Sequence, residues 1–395
     1  MKLSRSVRRP LALIGIPALL ATLAGGVLAA PASAATGTIR EAGSASVVKD
    51  SYVVVLKSST GVPAAVSSLK SKYGGKVGHT YEHALSGFEV SMSEAAAKKL
   101  AADPKVSYVE QNAVMKASTT QTGATWGIDR IDQRALPLST TYTYDTTASN
   151  VHAYIIDTGI LTTHTQFGGR ATSGYDFVDN DSNATDCAGH GTHVAGTVGG
   201  STYGVAKGVQ LVAVRVLNCS GSGTIAGVIA GIDWVTANAT GPAVANLSLG
   251  GSANVALDNA VRNSIASGIS YAVAAGGSAT DAGNFSPARV TEALTIGASG
   301  PDDCLSSSTN HGSVVDMFAP GVNIVGPWIT SNTATATLSG SSVSAPHAAG
   351  AAAIHLQVNP GATAAQVQQV LVGASTTDRL CNVPPGTPNR LLYVG

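Results

Sequence analysis

Three polar residues stand where the surrounding sequence would aim them at one place. Asp157 closes the apolar run Ala153-Tyr-Ile-Ile156 and is followed by Thr158-Gly159. A carboxylate at the carboxyl end of a buried strand points into the crevice where open α/β sheets bind ligands. His190 lies in Gly189-His-Gly-Thr-His-Val-Ala-Gly196, at the start of a helix, with glycines that allow close approach. Ser342 lies in Gly340-Ser-Ser-Val-Ser-Ala-Pro-His347, just ahead of the helix-forming run 348–356. Its hydroxyl is thereby set near free backbone N–H groups that stabilise a developing anion. Pro346 is expected in the first turn of that helix, where a missing N–H is tolerated. Taken singly, Asp157 could cap a loop, and Ser341, Ser342 or Ser344 could cap the helix. Together, carboxylate, imidazole and hydroxyl make a nucleophile activated by an oriented base.

Two other chemistries fit less well. His190 and His193 are three apart, whereas a zinc-binding helix of the zincin type needs a four-residue spacing with a Glu beside the first. An esterase elbow would read G-x-S-x-G with the order Ser, Asp, His, and neither occurs around Ser342. The order Asp157, His190, Ser342 is one of the recognised orders of the serine-protease triad. In it Ser342 attacks a peptide carbonyl, His190 moves the proton, and Asp157 holds the tautomer and stabilises the imidazolium.

The elements that must position these residues are legible as alternation. Short apolar runs at 151–156, 209–216, 244–249, 269–275 and 293–298 read as strands, and 191–198, 223–238 and 256–267 read as helices. Such alternation predicts an α/β fold, a doubly wound and mostly parallel sheet with helices on both faces. Upstream, 51–56, 87–92 and 106–110 read as strands, and 63–73 and 93–102 as helices, with Ser93 as a cap. That predicts a separate small α/β sandwich. Segment 36–46 reads as a loose leader, and 116–126, rich in Ser, Thr, Gln and Gly, as a linker.

Composition narrows the class. The 395 residues carry no net charge, only 12% are charged, and no long basic run suggests nucleic acid. Lys2, Arg5, Arg8 and Arg9, the apolar stretch 11–30 and the small-residue run Pro31-Ala-Ser-Ala34 read as a secretory signal over 1–35. Export to an oxidising compartment makes two disulfides of the four cysteines, with three pairings open. A monomer, with no membrane span in the mature form, is expected.

Ile156-Asp-Thr-Gly159 and the His190 and Ser342 blocks resemble the three signature blocks of subtilases, peptidase family S8. Thr202-Tyr-Gly-Val-Ala-Lys207, Asn246-Leu-Ser-Leu-Gly-Gly251 and Asn284-Phe-Ser-Pro-Ala288 resemble the proteinase K branch, aqualysin most closely. The resemblance implies a subtilisin-like catalytic domain over 119–395. It implies too that 36–118 is a propeptide, with an inhibitor I9-type, ferredoxin-like chaperone domain at about 47–117. The implied enzyme is a secreted endopeptidase of broad specificity on protein and peptide substrates. It is restrained by its own propeptide and released by self-cleavage near Ser118–Thr119. Gly221, Ser222 and Gly223, with Ser248, Leu249 and Gly250, match the two edges that sandwich an extended substrate. Ala274, Ala275 and Gly276 match a wall of the S1 pocket, open to apolar or aromatic side chains. Structural calcium is implied at Asp316 with the carbonyls of Thr291 and Ala293. A second ion is implied at Asp129, Asp132 and Gln133, with Ser139 and Thr141 nearby. Cys187 and Cys219 match a family disulfide. The family's other bridge is missing, with Gly283 and Val314 at its positions, and Cys304 and Cys381 are expected to pair.

One departure bears on chemistry. The family places an asparagine after the Ala-Ala-Gly wall as a donor to the oxyanion, alongside the N–H of Ser342. Here Gly277 stands there. Removal of one such donor typically lowers kcat about 10²–10³-fold. The expectation is a slower protease; the alternative is a weakened subtilase that mainly binds peptides.

Overall fold

Alternate residues of the strand His152–Asp157 pack into opposite hydrophobic clusters. Ala153 and Ile155 join one, Tyr154 and Ile156 the other, and all four are buried. A strand covered on both faces belongs inside a parallel sheet. The computed structural model, which describes residues 36–41, 47–58, 61–114 and 119–395, shows that sheet. The expected signal 1–35 and Ser118 lie outside the described residues.

The chain divides into two units, 1–113 and 114–395. The first holds β1 (Ile39–Arg40), β2 (Val47–Leu56), α1 (Val62–Tyr73), β3 (Lys76–Tyr81), β4 (Gly87–Ser91), α2 (Glu94–Ala101) and β5 (Val106–Ala113). Its sheet runs β1-β5-β2-β4-β3. Val54, Phe88, Val90 and Val109 from the sheet pack with Leu69 and Leu100 from the helices. Ser93 caps α2 by accepting from the N–H of Ala96. The sequence reading missed β3, an edge strand whose polar residues carry no alternating core pattern.

The second unit begins with β6 (Thr119–Thr122), α3 (Trp126–Ile131) and β7 (Thr141–Tyr144). Part of the expected linker is therefore strand: β6 pairs antiparallel with β7. There follow β8 (His152–Asp157), β9 (Ala171–Asp176), α4 (His190–Gly199), β10 (Gln210–Arg215), α5 (Ile225–Asn238), β11 (Ala243–Leu247), β12 (Gly251–Ser252), α6 (Val255–Ala266), β13 (Ser270–Ala274), β14 (Phe285–Ser286), β15 (Leu294–Ser299) and β16 (Met317–Pro320). The C-terminal part adds β17 (Ile324–Pro327), β18 (Thr335–Leu338), α7 (Ser341–Val358), α8 (Ala364–Ala374), β19 (Thr376–Thr377) and β20 (Arg390–Leu391). The nine-stranded sheet runs β19-β20-β16-β15-β13-β11-β8-β10-β9 and is parallel except for the β19–β20 pair. α4, α7 and α8 cover one face, with Val198, Ala349 and Val367 fully or almost fully buried there. α5 and α6 cover the other through Ile232 and Val261. This is the expected doubly wound architecture. β9 escaped the sequence reading because its small and polar residues sit on the sheet edge, with Thr172 and Ser173 exposed.

All four cysteines are paired, Cys187 with Cys219 and Cys304 with Cys381.

Candidate active site

Asp157 is the last residue of β8 and has no exposed surface. Its Oδ1 accepts from the N–H of Thr158 at 2.7 Å and lies 2.7 Å from Nδ1 of His190. The other oxygen, Oδ2, is buried without a hydrogen-bond partner among the described residues. Burial by itself would lower the pKa of His190. The charge and hydrogen bond of Asp157, helped by the charge of Asp186, outweigh it, and the imidazole sits above its ordinary value. With Nδ1 engaged, Nε2 is the nitrogen free to serve a reaction, and 27% of the side chain is open to solvent.

His190 opens α4 after Gly189, whose φ is +101°, a conformation that L side chains rarely adopt. A Cβ there would lie 2.5 Å from the Trp328 ring, so the glycine is required by space as well. The same turn is tied down by Asp186, which the sequence reading missed. This buried carboxylate accepts through Oδ1 from the Thr158 hydroxyl at 2.8 Å and the N–H groups of Ala188 and Gly189 at 2.9 and 2.8 Å. Its Oδ2 accepts from the N–H and hydroxyl of Thr192 at 2.9 and 2.6 Å. Asp186 thus links the residue after Asp157 to the first turn of the helix that carries His190. The only signal for it was a lone Asp four residues ahead of a helix start.

Ser342 is the second residue of α7, whose N-terminus carries no side-chain cap. The capping alternative is thereby removed for Ser341, Ser342 and Ser344. Pro346 is not in the first turn as expected; it lies inside the helix. Its missing N–H would have bonded the carbonyl of Ser342. That carbonyl instead accepts from the Ser248 hydroxyl at 2.6 Å, and Ser248 in turn accepts from the Asn246 amide at 2.8 Å.

A cleft of about 550 Å³ is lined by Thr158, His190 and Ser342, by Gly221, Ser222 and Gly223, and by Ser248, Leu249 and Gly250. A neighbouring hollow of about 320 Å³ joins Ser248–Gly250 to Ala274, Ala275, Gly276, Gly277 and Ser342. Each expected edge and wall residue therefore borders the space in front of Ser342. The wall is held by Asn310, fully buried, whose Nδ2 donates to the carbonyl of Ala275 and whose Oδ1 accepts from the N–H of Ser278. A Cβ on Gly276, where φ is +101°, would lie 2.4 Å from the Asn310 amide. Ser341 Oγ accepts from the N–H of Gly276 at 3.0 Å, which leaves its own proton free.

The two implied calcium positions differ. At the second, Asp129 accepts from Ser139 and Thr140, Ser139 Oγ lies 2.7 Å from Thr141 Oγ1, and Asp132 Oδ1 is buried without a hydrogen-bond partner among the described residues. Two carboxylates with hydroxyl and amide oxygens, one oxygen unsatisfied, fit a hard cation. At the first, the Gln368 amide nitrogen donates to the carbonyls of Thr291 and Ala293 and to Asp316 Oδ1. The oxygens expected to hold an ion enclose a nitrogen, and the residues as arranged do not fit one.

A reactive cleft at the carboxyl edge of a doubly wound sheet defines an α/β enzyme of hydrolytic type. Residues 149–391 match the subtilase family, and residues 40–118 match the peptidase inhibitor I9 family. The chain is 49% identical over 335 residues to an alkaline serine exoprotease A of Vibrio alginolyticus, covering 83% of this chain and 62% of that one. It is 47% identical over 363 residues to an extracellular serine proteinase of Thermus sp. (strain Rt41A), covering 87% and 88%. The crystal structure of a cold adapted subtilisin-like serine proteinase superposes with a TM-score of 0.68 at 52% identity, over 69% of this chain and 99% of that one. The chain belongs to the subtilase family of serine proteases and carries an I9 inhibitor segment. No helix among the described residues is long and apolar enough to cross a membrane.

Proposed function

We propose that this chain is a secreted serine endopeptidase in which Ser342, His190 and Asp157 hydrolyse peptide bonds through an acyl-enzyme. The observation that carries it is the 2.7 Å contact of Asp157 with His190 Nδ1, on a cleft that Ser342 also lines. His190 Nε2 takes the proton as Ser342 Oγ attacks the carbonyl, then returns it to the leaving amine; a water repeats the cycle on the ester. Asp157 keeps the proton on Nδ1 and favours the imidazolium. The backbone N–H of Ser342 stabilises the oxyanion, with Gly277 contributing no side chain. Segments 221–223 and 248–250 pair with substrate backbone, which supports broad specificity. The small wall residues 274–276 admit apolar or aromatic side chains.

The I9 segment supports activation by loss of 36–118 through a cut near Ser118–Thr119. Asp129, Asp132 and Gln133 would hold a calcium ion that cross-links the start of the catalytic unit. Mass spectrometry of secreted protein tests the reading, with Ser342→Ala alongside. The wild type is expected to start near Thr119 and to cleave a chromogenic peptide; the variant is expected to do neither. Equal hydrolysis by both would leave a peptide-binding subtilase, the reading Gly277 favours.

A further inference from the structure

We propose that Gln368 takes the place of a metal ion in the cradle made by Thr291, Ala293 and Asp316, so that this part of the fold closes without calcium. The Gln368 amide nitrogen lies 3.0 Å from the Thr291 carbonyl, 3.1 Å from that of Ala293 and 3.2 Å from Asp316 Oδ1. These are ordinary N–H···O lengths. Calcium would need the same oxygens at about 2.3–2.6 Å, with several more ligands around it. Amide nitrogen and cation compete for one space.

The position of the amide is fixed by its helix. Thr363 and Gln366 form a capping box at the start of α8, and Val367 and Leu371 are buried against the sheet. Gln368 follows Val367 and spans from α8 to the loop before β15 and to Asp316 just ahead of β16. The far oxygen of Asp316 accepts from the N–H of Thr295 at 2.8 Å, so both carboxylate oxygens are satisfied within the protein. An amide turned the other way would set its oxygen against three oxygens, an arrangement that only an intervening cation would hold. The direction of that one side chain separates a cradle that excludes metal from one that binds it.

The inference rests on reading this cradle as the subtilase calcium position, and its test uses no turnover. The full-length Ser342→Ala chain is taken, with Asp132→Asn added to silence the other calcium position. Calcium binding is followed by titration calorimetry, and thermal unfolding with and without chelator. With Gln368 present, no calcium uptake and a Tm indifferent to chelator are expected. Adding Gln368→Ala should lower Tm by roughly 2–6 °C, create uptake of one calcium ion, and restore Tm when calcium is supplied. Uptake of an ion by the Gln368 chain that Asp316→Asn abolishes would overturn the proposal. So would a Gln368→Ala chain that takes up no calcium.

Discussion

The hydroxyl of Ser248 donates to the backbone carbonyl of Ser342 at 2.6 Å. Pro346, four residues beyond, has no N–H to offer that carbonyl, so a residue from the loop after β11 completes the helix end that bears the nucleophile. Ser248→Ala would strip a half-buried carbonyl of its partner, an omission worth about 1–3 kcal/mol. The expected result is a Tm lower by a few degrees, with kcat reduced more than KM is changed, because the loosened turn carries the reacting hydroxyl. Ser248→Thr should recover both. An Ala variant with unaltered kcat would detach this bond from catalysis.

Gly277 has room for the side chain it lacks. A Cβ built on it would meet nothing nearer than the Ser308 carbonyl at 3.9 Å. Gly277→Asn is therefore expected to fold and to raise kcat by about 10²–10³-fold, the usual effect of one oxyanion donor, with little change in KM. The free proton of Ser341 is the competing donor. Steady-state kinetics on one chromogenic peptide decide: a gain under about tenfold would mean the oxyanion is already satisfied, against the full range expected of a missing donor.

What the sequence disclosed and what it hid divide along a physical line. Asp157, His190 and Ser342 were legible because each sits at the junction of a strongly patterned element and a glycine. The parallel sheet was legible because its central strands are apolar on both faces. Edge strands β3 and β9 were not, since exposed polar residues such as Lys76, His79, Thr172 and Ser173 break the pattern. Pro346 was misread because the helix starts earlier than a first-turn proline requires, and the hydrogen bond it cannot give Ser342 comes from Ser248, 94 positions before Ser342. Gln368 was invisible for a similar reason: a polar residue on an amphipathic helix signals solvent, and only the fold brings it 52 positions back to Asp316.

Acid should unfold this protein through two histidines outside the reaction. His193 and His347 are almost wholly buried, and burial lowers each pKa to about 4. His193 Nε2 faces the Ile324 carbonyl at 3.1 Å while its Nδ1 has no partner among the described residues, and His347 Nδ1 faces the Val343 carbonyl. A proton on His193 also meets the charge of His190, and one on His347 the charge of His193. The unfolded chain binds protons near pH 6.5 and the folded chain only near 4, so their contribution is complete above 6.5 and is lost as pH falls from 6.5 to 4. It amounts to as much as ~3 kcal/mol for each ring. Urea midpoints of Ser342→Ala should fall steeply across that window; a flat profile would mean the rings protonate without unfolding.

Asp186 touches neither substrate nor the reacting atoms, yet five hydrogen bonds make it the anchor of the His190 turn. Two effects should follow from Asp186→Asn. An amide nitrogen would face the N–H of Thr192, donor against donor, so the turn loses at least one bond and His190 loses its exact aim. Misplacement of this kind lowers kcat about 10²-fold. The negative charge that helps hold His190 protonated also disappears, so the imidazole loses its proton at lower pH. Neutral His190 is the base, and the acid limb of the kcat/KM profile should therefore move to lower pH while the plateau drops. A plateau that drops with the limb unmoved would reduce Asp186 to scaffolding; a moved limb assigns it a share in setting the basicity of His190.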